Sequence, residues 1–260
     1  MMNRLRQTMI HCETQKEKAL ACFLTAGYPT PDVLLPLVGA IEKGGADIIE
    51  LGMPFSDPLA DGPVIQLSSH VALQQGVTID WILSQVRLIR RRSNIPIVLM
   101  GYLNPILAYG TEKFFTTAAR VGADGIILPE LPLEEQDRYA DLIKANKLAN
   151  ILLVTPTTPS ARISLIDKRS SGFLYCVSRA GVTGSRKSRI NTSYIKKVKS
   201  SAKKNPVLVG FGISSAEDAR RAVQNADGVI VGSALIEFIG KGKSLAAVES
   251  FVRGIKTGMQ

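Results

Sequence analysis

Reactive and metal-binding residues are scarce in this chain of 260 residues. It has three cysteines, Cys12, Cys22 and Cys176, and two histidines, His11 and His70. No two cysteines have the C-x-x-C spacing of a zinc or redox motif, and the histidines are too scattered for a zinc or iron site. A small, odd number of cysteines favours a reducing compartment. We therefore expect neither a resident metal nor a disulfide.

Long apolar runs are lacking as well. The first 18 residues are polar and contain no apolar signal core. Nowhere does a run approach the roughly 18 apolar residues that cross a membrane. The composition, 45% hydrophobic and 21% charged, is that of an ordinary folded protein rather than a disordered one. These features predict a cytoplasmic protein that does not bind membranes.

Motifs of several enzyme classes are also missing. The chain has no G-x-S-x-G, no P-loop and no kinase motif. Every lysine falls in a predicted helix or loop, whereas a barrel aldolase that forms a Schiff base normally places one in a strand. The enzyme chemistry that remains is acid/base catalysis without a metal.

Positive charge is in excess, with a net charge of +10. It is concentrated in residues 186–204, which carry eight lysines and arginines and no acid, and in the arginines of residues 87–92. Such clusters can bind nucleic acid or other anions. Neither is interleaved with aromatic residues, and no motif of a nucleic-acid-binding fold is present. We therefore interpret both clusters as solvated helix faces and expect no nucleic acid partner.

Eight short apolar runs alternate with longer mixed segments. They are continuous rather than alternating, as expected of parallel strands buried on both faces. Eight such strands with helical connections in about 250 residues are typical of a (β/α)8 TIM barrel. A doubly wound open sheet is the alternative, although the turn at 26–29 is not a dinucleotide-binding fingerprint. The predicted strands are Ala19–Thr25, Ile48–Leu51, Ile95–Met100, Gly125–Leu128, Asn150–Thr155, Phe173–Val177, Pro206–Val209 and Gly228–Val231.

No Pro/Gly/Ser linker divides the chain, so we expect one domain over residues 1–260. The prediction includes an extra N-terminal helix and a short helix, Ala234–Ile239, after the eighth strand. Ser214–Glu217 has the pattern of a capping box. A similar tripeptide closes a helix before a strand three times, which indicates one reused βα unit. The three copies are Gly45–Asp47, Gly122–Asp124 and Asn225–Asp227.

Two carboxylates stand out near the predicted barrel mouth. Glu50 interrupts an apolar strand, where a buried charge is costly unless it has a partner. It is either a buried carboxylate paired with a cation or a general acid/base with a pKa tuned by burial. Asp61 follows eleven positions later, on a loop stiffened by proline and glycine. That loop can fold back and place both carboxylates across one pocket.

The ends of the seventh and eighth strands have the composition of a phosphate site. Gly210–Gly212 lets backbone N–H groups approach an anion, and Gly232 and Ser233 open the following helix, whose N-terminus attracts negative charge. Gly181–Gly184 is a candidate lid over the same phosphate. Two glycine turns without a ligand are the alternative.

Seven segments, in order, resemble one family. IELGMPFSDPLADGPVIQ at 49–66 closely resembles the signature of the tryptophan synthase alpha chain, and the similarity runs from about residue 15 to the end. The corroborating segments are FLTAGYP (23–29), GYLNPI (101–106), LPELPLEE (128–135), PTTP (156–159), SRAGVTG (178–184) and GFGIS (210–214).

The resemblance implies cleavage of indole-3-glycerol phosphate into indole and glyceraldehyde 3-phosphate. It implies that Glu50 protonates the indole ring carbon and takes the hydroxyl proton. Asp61 would accept a hydrogen bond from the indole N–H and stabilise the positive charge that develops there. Tyr175 is the third implied catalytic side chain, and it also lines the indole pocket. The implied substrate-binding residues are Phe23, Met100 and Tyr102 around the indole, Thr183, and, for the phosphate, Gly184, Phe211, Gly212, Gly232 and Ser233.

The resemblance also implies a partner, a pyridoxal-phosphate-dependent beta chain that receives the indole in an alpha2-beta2 heterotetramer. The cofactor then belongs to the partner, and we expect none in this chain. A neutral, apolar product leaks unless the pocket mouth is covered, so we expect the beta chain to order loop 53–63 and lid 178–188. The alternative is that the residues of this rim pack on their own barrel. The predicted apolar rim, near Asp57, Asn104–Tyr109 and Glu130–Pro132, consists of Pro58, Leu59, Pro105, Ile106, Leu107, Leu131 and Pro132.

Two residues depart from the family pattern. Glu130 stands where the family commonly has Asp, which affects contacts with the partner or with the moving loops, and Thr155 stands where Ala is frequent. Three other functions compete with the lyase. They are an isomerase that shares the phosphate site, a non-enzymatic partner that has kept only the fold, and a nucleic-acid-binding protein supported by net charge alone.

Overall fold

The chain forms a parallel β-barrel surrounded by helices. The computed structural model describes residues 3–178 and 191–260. The strands of this part are β1 (Ala19–Thr25), β2 (Ile48–Gly52), β3 (Ile97–Met100), β4 (Gly125–Ile127), β5 (Ala149–Asn150), β6 (Leu152–Val154), β7 (Leu174–Val177), β8 (Val207–Gly210) and β9 (Gly228–Val231). All register pairs are parallel, in the order β5-β4-β3-β2-β1-β9-β8-β7-β6.

The barrel closes through a strand that is broken in two. The first and last strands in that order, β5 and β6, are consecutive in the chain and are separated only by Ile151. The Ile151 N–H donates to Ile126 of β4 at 3.0 Å, whereas β6 pairs with β7. The prediction of eight strands therefore becomes nine, because the fifth strand changes partner at Ile151. The predicted barrel fold itself is confirmed.

Twelve α-helices and one 3₁₀ turn, Pro31–Val33, surround the strands in the described part of the chain. The helices are α1 (Arg4–Gln15), α2 (Leu34–Lys43), α3 (Pro63–Gln74), α4 (Ile79–Arg90), α5 (Leu103–Tyr109), α6 (Thr111–Val121), α7 (Leu133–Ala145), α8 (Ser160–Arg169), α9 (Thr192–Ser201), α10 (Ala216–Val223), α11 (Ser233–Gly240) and α12 (Leu245–Gly258).

Two helix predictions can be checked at their N-termini. The extra N-terminal helix is α1, and the short helix after the last strand is α11, which begins one residue earlier than predicted. The capping box is displaced by one residue, because Ser215 accepts from the Asp218 N–H at 3.1 Å. The Asp218 carboxylate in turn accepts from the Ser214 N–H at 3.1 Å.

Helix α1 covers the amino-terminal end of the barrel. Its apolar face, Leu5, Met9 and Cys12, belongs to the same buried cluster as the side chains that point into the barrel interior. A second buried cluster lies between the strands and the outer helices. The amino-terminal end is thus filled, which leaves the carboxyl ends of the strands as the place for a cavity.

The repeated tripeptides have a common structural role at the amino-terminal end. The aspartate of each copy accepts an N–H from the first or second residue of the neighbouring strand and forms an ion pair with a lysine or arginine. The repeated tripeptides therefore stabilise the barrel at the end opposite the carboxyl ends of the strands, where barrel active sites lie. Asp47 accepts from the Leu20 N–H at 2.7 Å and pairs with Lys256. Asp124 accepts from the Ile97 N–H at 2.9 Å and pairs with Arg4 and Arg90. Asp227 accepts from the Val207 N–H at 2.7 Å and pairs with Lys199.

The arginine cluster of residues 87–92 is only partly a solvated face. Arg87, Arg91 and Arg92 are exposed, as expected. For Arg90 that interpretation is wrong: its guanidinium donates to Gly122 and to Asp124, and its side chain is only 12% exposed. None of the helices in residues 3–178 and 191–260 is long and apolar enough to cross a membrane.

Candidate active site

A cavity of about 640 Å³ opens at the carboxyl ends of the barrel strands. Nine of the predicted site residues line it together, although they come from four strands, β1, β2, β3 and β7, and from the segments that follow β2, β8 and β9. Thr183, Gly184 and the predicted lid beyond Ser178 lie outside the described residues. The nine are Phe23, Glu50, Asp61, Met100, Tyr175, Phe211, Gly212, Gly232 and Ser233.

Glu50 lies in the barrel interior on β2. It is paired in register with Phe23 of β1 and Val98 of β3, and its side chain is 0% exposed. Neither carboxylate oxygen has a hydrogen-bond partner among the described residues. Burial raises its pKa to about 8. The alternative of a buried carboxylate paired with a cation is therefore wrong for the described part of the chain.

Asp61 reaches the same cavity from the loop after β2. It is half-buried, and its Oδ2 accepts a hydrogen bond from the Tyr102 hydroxyl at 3.0 Å. Burial raises its pKa to about 6, and the Tyr102 hydrogen bond opposes that rise. The two carboxylates of the cavity thus have pKa values on either side of neutrality, as acid/base pairs in active sites commonly do.

Tyr102 supports the Asp61 loop from outside the main cavity. Its hydroxyl oxygen accepts from the Ala60 N–H at 3.0 Å, and its ring lies 5.3 Å from that of Phe55. Burial, followed by the nearby charge of Asp61, raises the pKa of the phenol, which therefore remains a hydrogen-bond donor. No sequence signal paired Tyr102 with Asp61, because the two are 41 positions apart.

The cavity wall beside Glu50 is apolar and aromatic. Phe23, Met100 and Tyr175 contribute side chains from β1, β3 and β7. Burial, followed by the charges of Glu50 and Asp61, raises the pKa of Tyr175 well above its ordinary value, so the hydroxyl stays protonated. A flat aromatic group fits between such side chains.

The opposite end of the cavity presents backbone N–H groups. Phe211 and Gly212, in the turn after β8, both have left-handed backbones, with φ of 70° and 81°, and both line the cavity. Gly232 is the N-cap of α11, and the first N–H groups of any helix lack intrahelical acceptors. The helix dipole adds positive potential at Ser233. This end of the cavity therefore suits an anion.

Further lining residues were missed by the sequence analysis. Val64 and Ile65 come from the first turn of α3, and Ile230 comes from β9. Ile230 was detectable from the two-residue period of its strand, since it lies two positions after Gly228. Asp218 also borders the anion end, but its carboxylate is engaged by Ser214 and Ser215.

Only some residues of the predicted apolar rim are exposed to solvent. Leu59 is 86% exposed and Leu107 is 48% exposed, so both present apolar area near the cavity mouth. Ile106 is fully buried, and its assignment to the rim is wrong because α5 turns it into the core. The Asp57 carboxylate is exposed and accepts from the Ser56 hydroxyl at 2.5 Å.

Comparison with known proteins agrees with this geometry. A family model described as tryptophan synthase alpha chain matches residues 9–258. The tryptophan synthase alpha chain of Geotalea uraniireducens is 43% identical over 264 residues, covering 100% of this chain and 98% of that protein. The tryptophan synthase of Saccharomyces cerevisiae is also 43% identical, but the match spans only 37% of that longer protein.

Solved structures show the same fold. Tryptophan synthase subunit alpha from Legionella pneumophila superimposes with a TM-score of 0.88 at 36% identity, covering 100% of this chain and 99% of that one. A chain of Mycobacterium tuberculosis tryptophan synthase gives a TM-score of 0.91 at 33% identity, covering 100% and 99%. From its sequence, its barrel and these relatives, the chain belongs to the tryptophan synthase alpha chain family.

Proposed function

We propose that this chain cleaves indole-3-glycerol phosphate into indole and glyceraldehyde 3-phosphate by acid/base catalysis. Membership of the family makes it an enzyme of tryptophan biosynthesis, acting as the alpha subunit. One observation carries the proposed reaction: two carboxylates whose pKa values lie at about 8 and about 6 share one cavity with an anion-binding backbone.

The pKa values suit the two roles. At pH 7 Glu50 is mostly protonated and can donate a proton to the indole carbon that bears the glycerol chain. The ring then carries positive charge, which the ionised Asp61 stabilises near the ring nitrogen. The Glu50 carboxylate takes the proton of the neighbouring hydroxyl, the carbon–carbon bond breaks, and its electron pair returns to the ring. Glu50 ends protonated, so each turnover leaves it ready for the next.

The polarity of the cavity supports the orientation of the substrate. Its aromatic wall, formed by Phe23, Met100 and Tyr175, lies beside Glu50, where the indole would bind. The glycine turn at Gly212 and the start of α11 at Ser233 would hold the phosphate through backbone N–H groups. We assign Thr183 and Gly184 to the substrate by resemblance only.

We further propose a beta chain as the partner. Support comes from the exposed Leu59 and Leu107 at the mouth, and from the yeast relative, in which a region matching this chain is part of a longer tryptophan synthase. Pyridoxal phosphate would then be bound by the partner, in a heterotetramer of two alpha and two beta chains. A single domain and a cytoplasmic location stay predictions from sequence.

The test is indole release from indole-3-glycerol phosphate by the purified chain, followed colorimetrically. Replacing Glu50 by Gln keeps the shape but removes the transferable proton, so turnover should fall at least about 10²-fold. Glu134→Gln is the matched control, because Glu134 is exposed and pairs with Arg162 away from the cavity. Unimpaired turnover in Glu50→Gln would remove Glu50 from the mechanism. No indole release by the wild-type chain, alone or with a beta chain, would refute the proposed function.

The partner is tested separately. With a cognate beta chain, light scattering should show a larger species, and indole formation should rise. Leu59→Ser should weaken that association, whereas Leu245→Ser, an exposed leucine at the start of α12, should not. Two species that stay separate at micromolar concentration, with unchanged turnover, would refute the partner while leaving the lyase reaction standing.

A further inference from the structure

Hydrogen bonds link the ends of three neighbouring strands beside Asp61. Tyr102, at the end of β3, holds the loop after β2 through the Ala60 N–H and the Asp61 carboxylate, each at 3.0 Å. Glu130, on the loop after β4, accepts from the Leu103 N–H at 2.5 Å. Since Leu103 directly follows Tyr102, the three loops form one connected chain of contacts.

Glu130 acts as a cap supplied from another loop. Leu103 is the first residue of α5, and Tyr102, at the N-cap position, makes no side-chain capping bond. The first N–H groups of a helix need an external acceptor, and a carboxylate there also interacts favourably with the helix dipole. Glu130 thus fixes the start of α5 and with it the backbone that carries the Tyr102 ring.

We propose that Glu130 is a positioning residue for the alpha reaction: by capping α5 it holds Tyr102 so that the tyrosine hydroxyl orients Asp61 towards the substrate. The inference rests on the proposed function, because it assigns Asp61 a role in turnover.

The negative charge of Glu130 also acts on Asp61, which supports the same inference. Among the described residues, Tyr102 and Glu130 act on the pKa of Asp61. The charges of Glu50 and Asp61 both raise the pKa of Tyr175, which lines the same cavity. Burial contributes the largest rise in the pKa of Asp61, Tyr102 lowers it, and the negative charge of Glu130 raises it further. Glu130 therefore affects both the orientation and the protonation of Asp61 without contacting it.

Three substitutions separate these effects. Glu130→Gln keeps an acceptor oxygen for Leu103 but removes the charge, so kcat should stay within about 2-fold of wild type. Glu130→Ala removes the acceptor as well, and kcat should fall by about 10-fold with KM nearly unchanged, since small misplacements of reacting groups are costly. Glu130→Asp, one methylene shorter, should recover only part of that loss. Glu134→Ala removes a nearby exposed carboxylate and should behave as wild type.

A second readout does not depend on catalysis. Carbon NMR titration of the Asp61 carboxyl in aspartate-labelled chain, assigned by Asp61→Asn, should show a lower pKa in Glu130→Gln than in wild type. Far-UV circular dichroism and urea denaturation of each variant confirm that it is folded.

The outcomes are distinct. Loss of kcat in Glu130→Ala, with Glu130→Gln active and its Asp61 pKa lowered, supports the proposal. Wild-type kcat in Glu130→Ala, or a loss of kcat in Glu130→Gln as large as that in Glu130→Ala, overturns it. A wild-type chain that releases no indole defeats the proposed function instead, and the NMR titration then still decides whether Glu130 acts on Asp61.

Discussion

Glu50 should make the protein less stable as the pH rises, and Glu50→Gln should remove that dependence. The carboxylate is fully buried and has no hydrogen-bond partner among the described residues. Its pKa is about 8 in the folded chain, against an ordinary value of 4.5. Because Glu50 binds its proton more tightly in the folded state, a rise in pH ionises it first in the unfolded state. Ionisation there lowers the free energy of the unfolded state relative to the folded one. The stability contributed by the neutral form is complete below about pH 4.5 and is lost as the pH rises towards about 8.

The magnitude follows from the same two values. Each pH unit in that interval lowers the free energy of unfolding by about 1.4 kcal/mol, so raising the pH from 5 to 8 lowers it by about 3 to 4 kcal/mol. A neutral glutamine, which is also buried without partners, differs little from the protonated acid but cannot ionise. Glu50→Gln should therefore match the wild type near pH 5 and exceed its stability by about 3 kcal/mol at pH 8. The inactive variant is expected to be the more stable protein.

The assay is urea denaturation followed by far-UV circular dichroism at pH 5, 6, 7 and 8. The difference in midpoint between wild type and Glu50→Gln should widen to about 1 to 3 M at pH 8, given a slope of about 1–3 kcal/mol per molar urea. Asp124→Asn is the matched control, because Asp124 is equally buried but is paired with Arg4 and Arg90. That variant should be destabilised. A midpoint difference for Glu50→Gln that does not grow with pH would refute an elevated pKa of Glu50.

Four other predictions concern the site directly. The pH profile of kcat/KM should fall on the alkaline side near pH 8 as Glu50 loses its proton, and a plateau to pH 9.5 would contradict this. Asp61→Asn should bind substrate but turn over at least about 10²-fold more slowly, as seen by single-turnover kinetics, because the charge on the ring loses its counter-charge. Gly212→Val should raise KM for the phosphorylated substrate, because φ is 81° at this position and a β-branched side chain would distort the turn. Binding of inorganic phosphate is measured in parallel, and normal binding by the variant would show that the phosphate site is misplaced. In Gly210→Ala the new Cβ would lie 2.3 Å from the Tyr175 hydroxyl, so kcat should fall while phosphate binding persists.

The features that the sequence predicted are those that depend on neighbours along the chain. The apolar runs and their spacing predicted the barrel, and β1 and β9 have the predicted bounds. The rule that barrel sites lie at strand carboxyl ends then selected Glu50 and Asp61 and the glycine turns at Gly212 and Gly232. These positions could be predicted because strand burial and strand-end position follow from local pattern; the roles of the residues stay predictions.

Other features required the folded chain. The break at Ile151 arises where one strand exchanges β4 for β7, a choice between partners that local composition does not contain. Ile106 looked like a rim residue, but the direction of α5 buries it. Whether Glu50 had a cation beside it was equally open, because any such cation could have come from a distant segment.

The state of the two carboxylates depends most on tertiary structure. Residue type and position identified Glu50 and Asp61, but burial sets their pKa values to about 8 and about 6. The contact that orients Asp61 joins it to Tyr102 across 41 positions, and Glu130 joins the next strand across 27. Desolvation and hydrogen bonding between distant segments exist only once the barrel has closed, so a linear pattern can indicate the two candidate carboxylates but cannot assign their protonation.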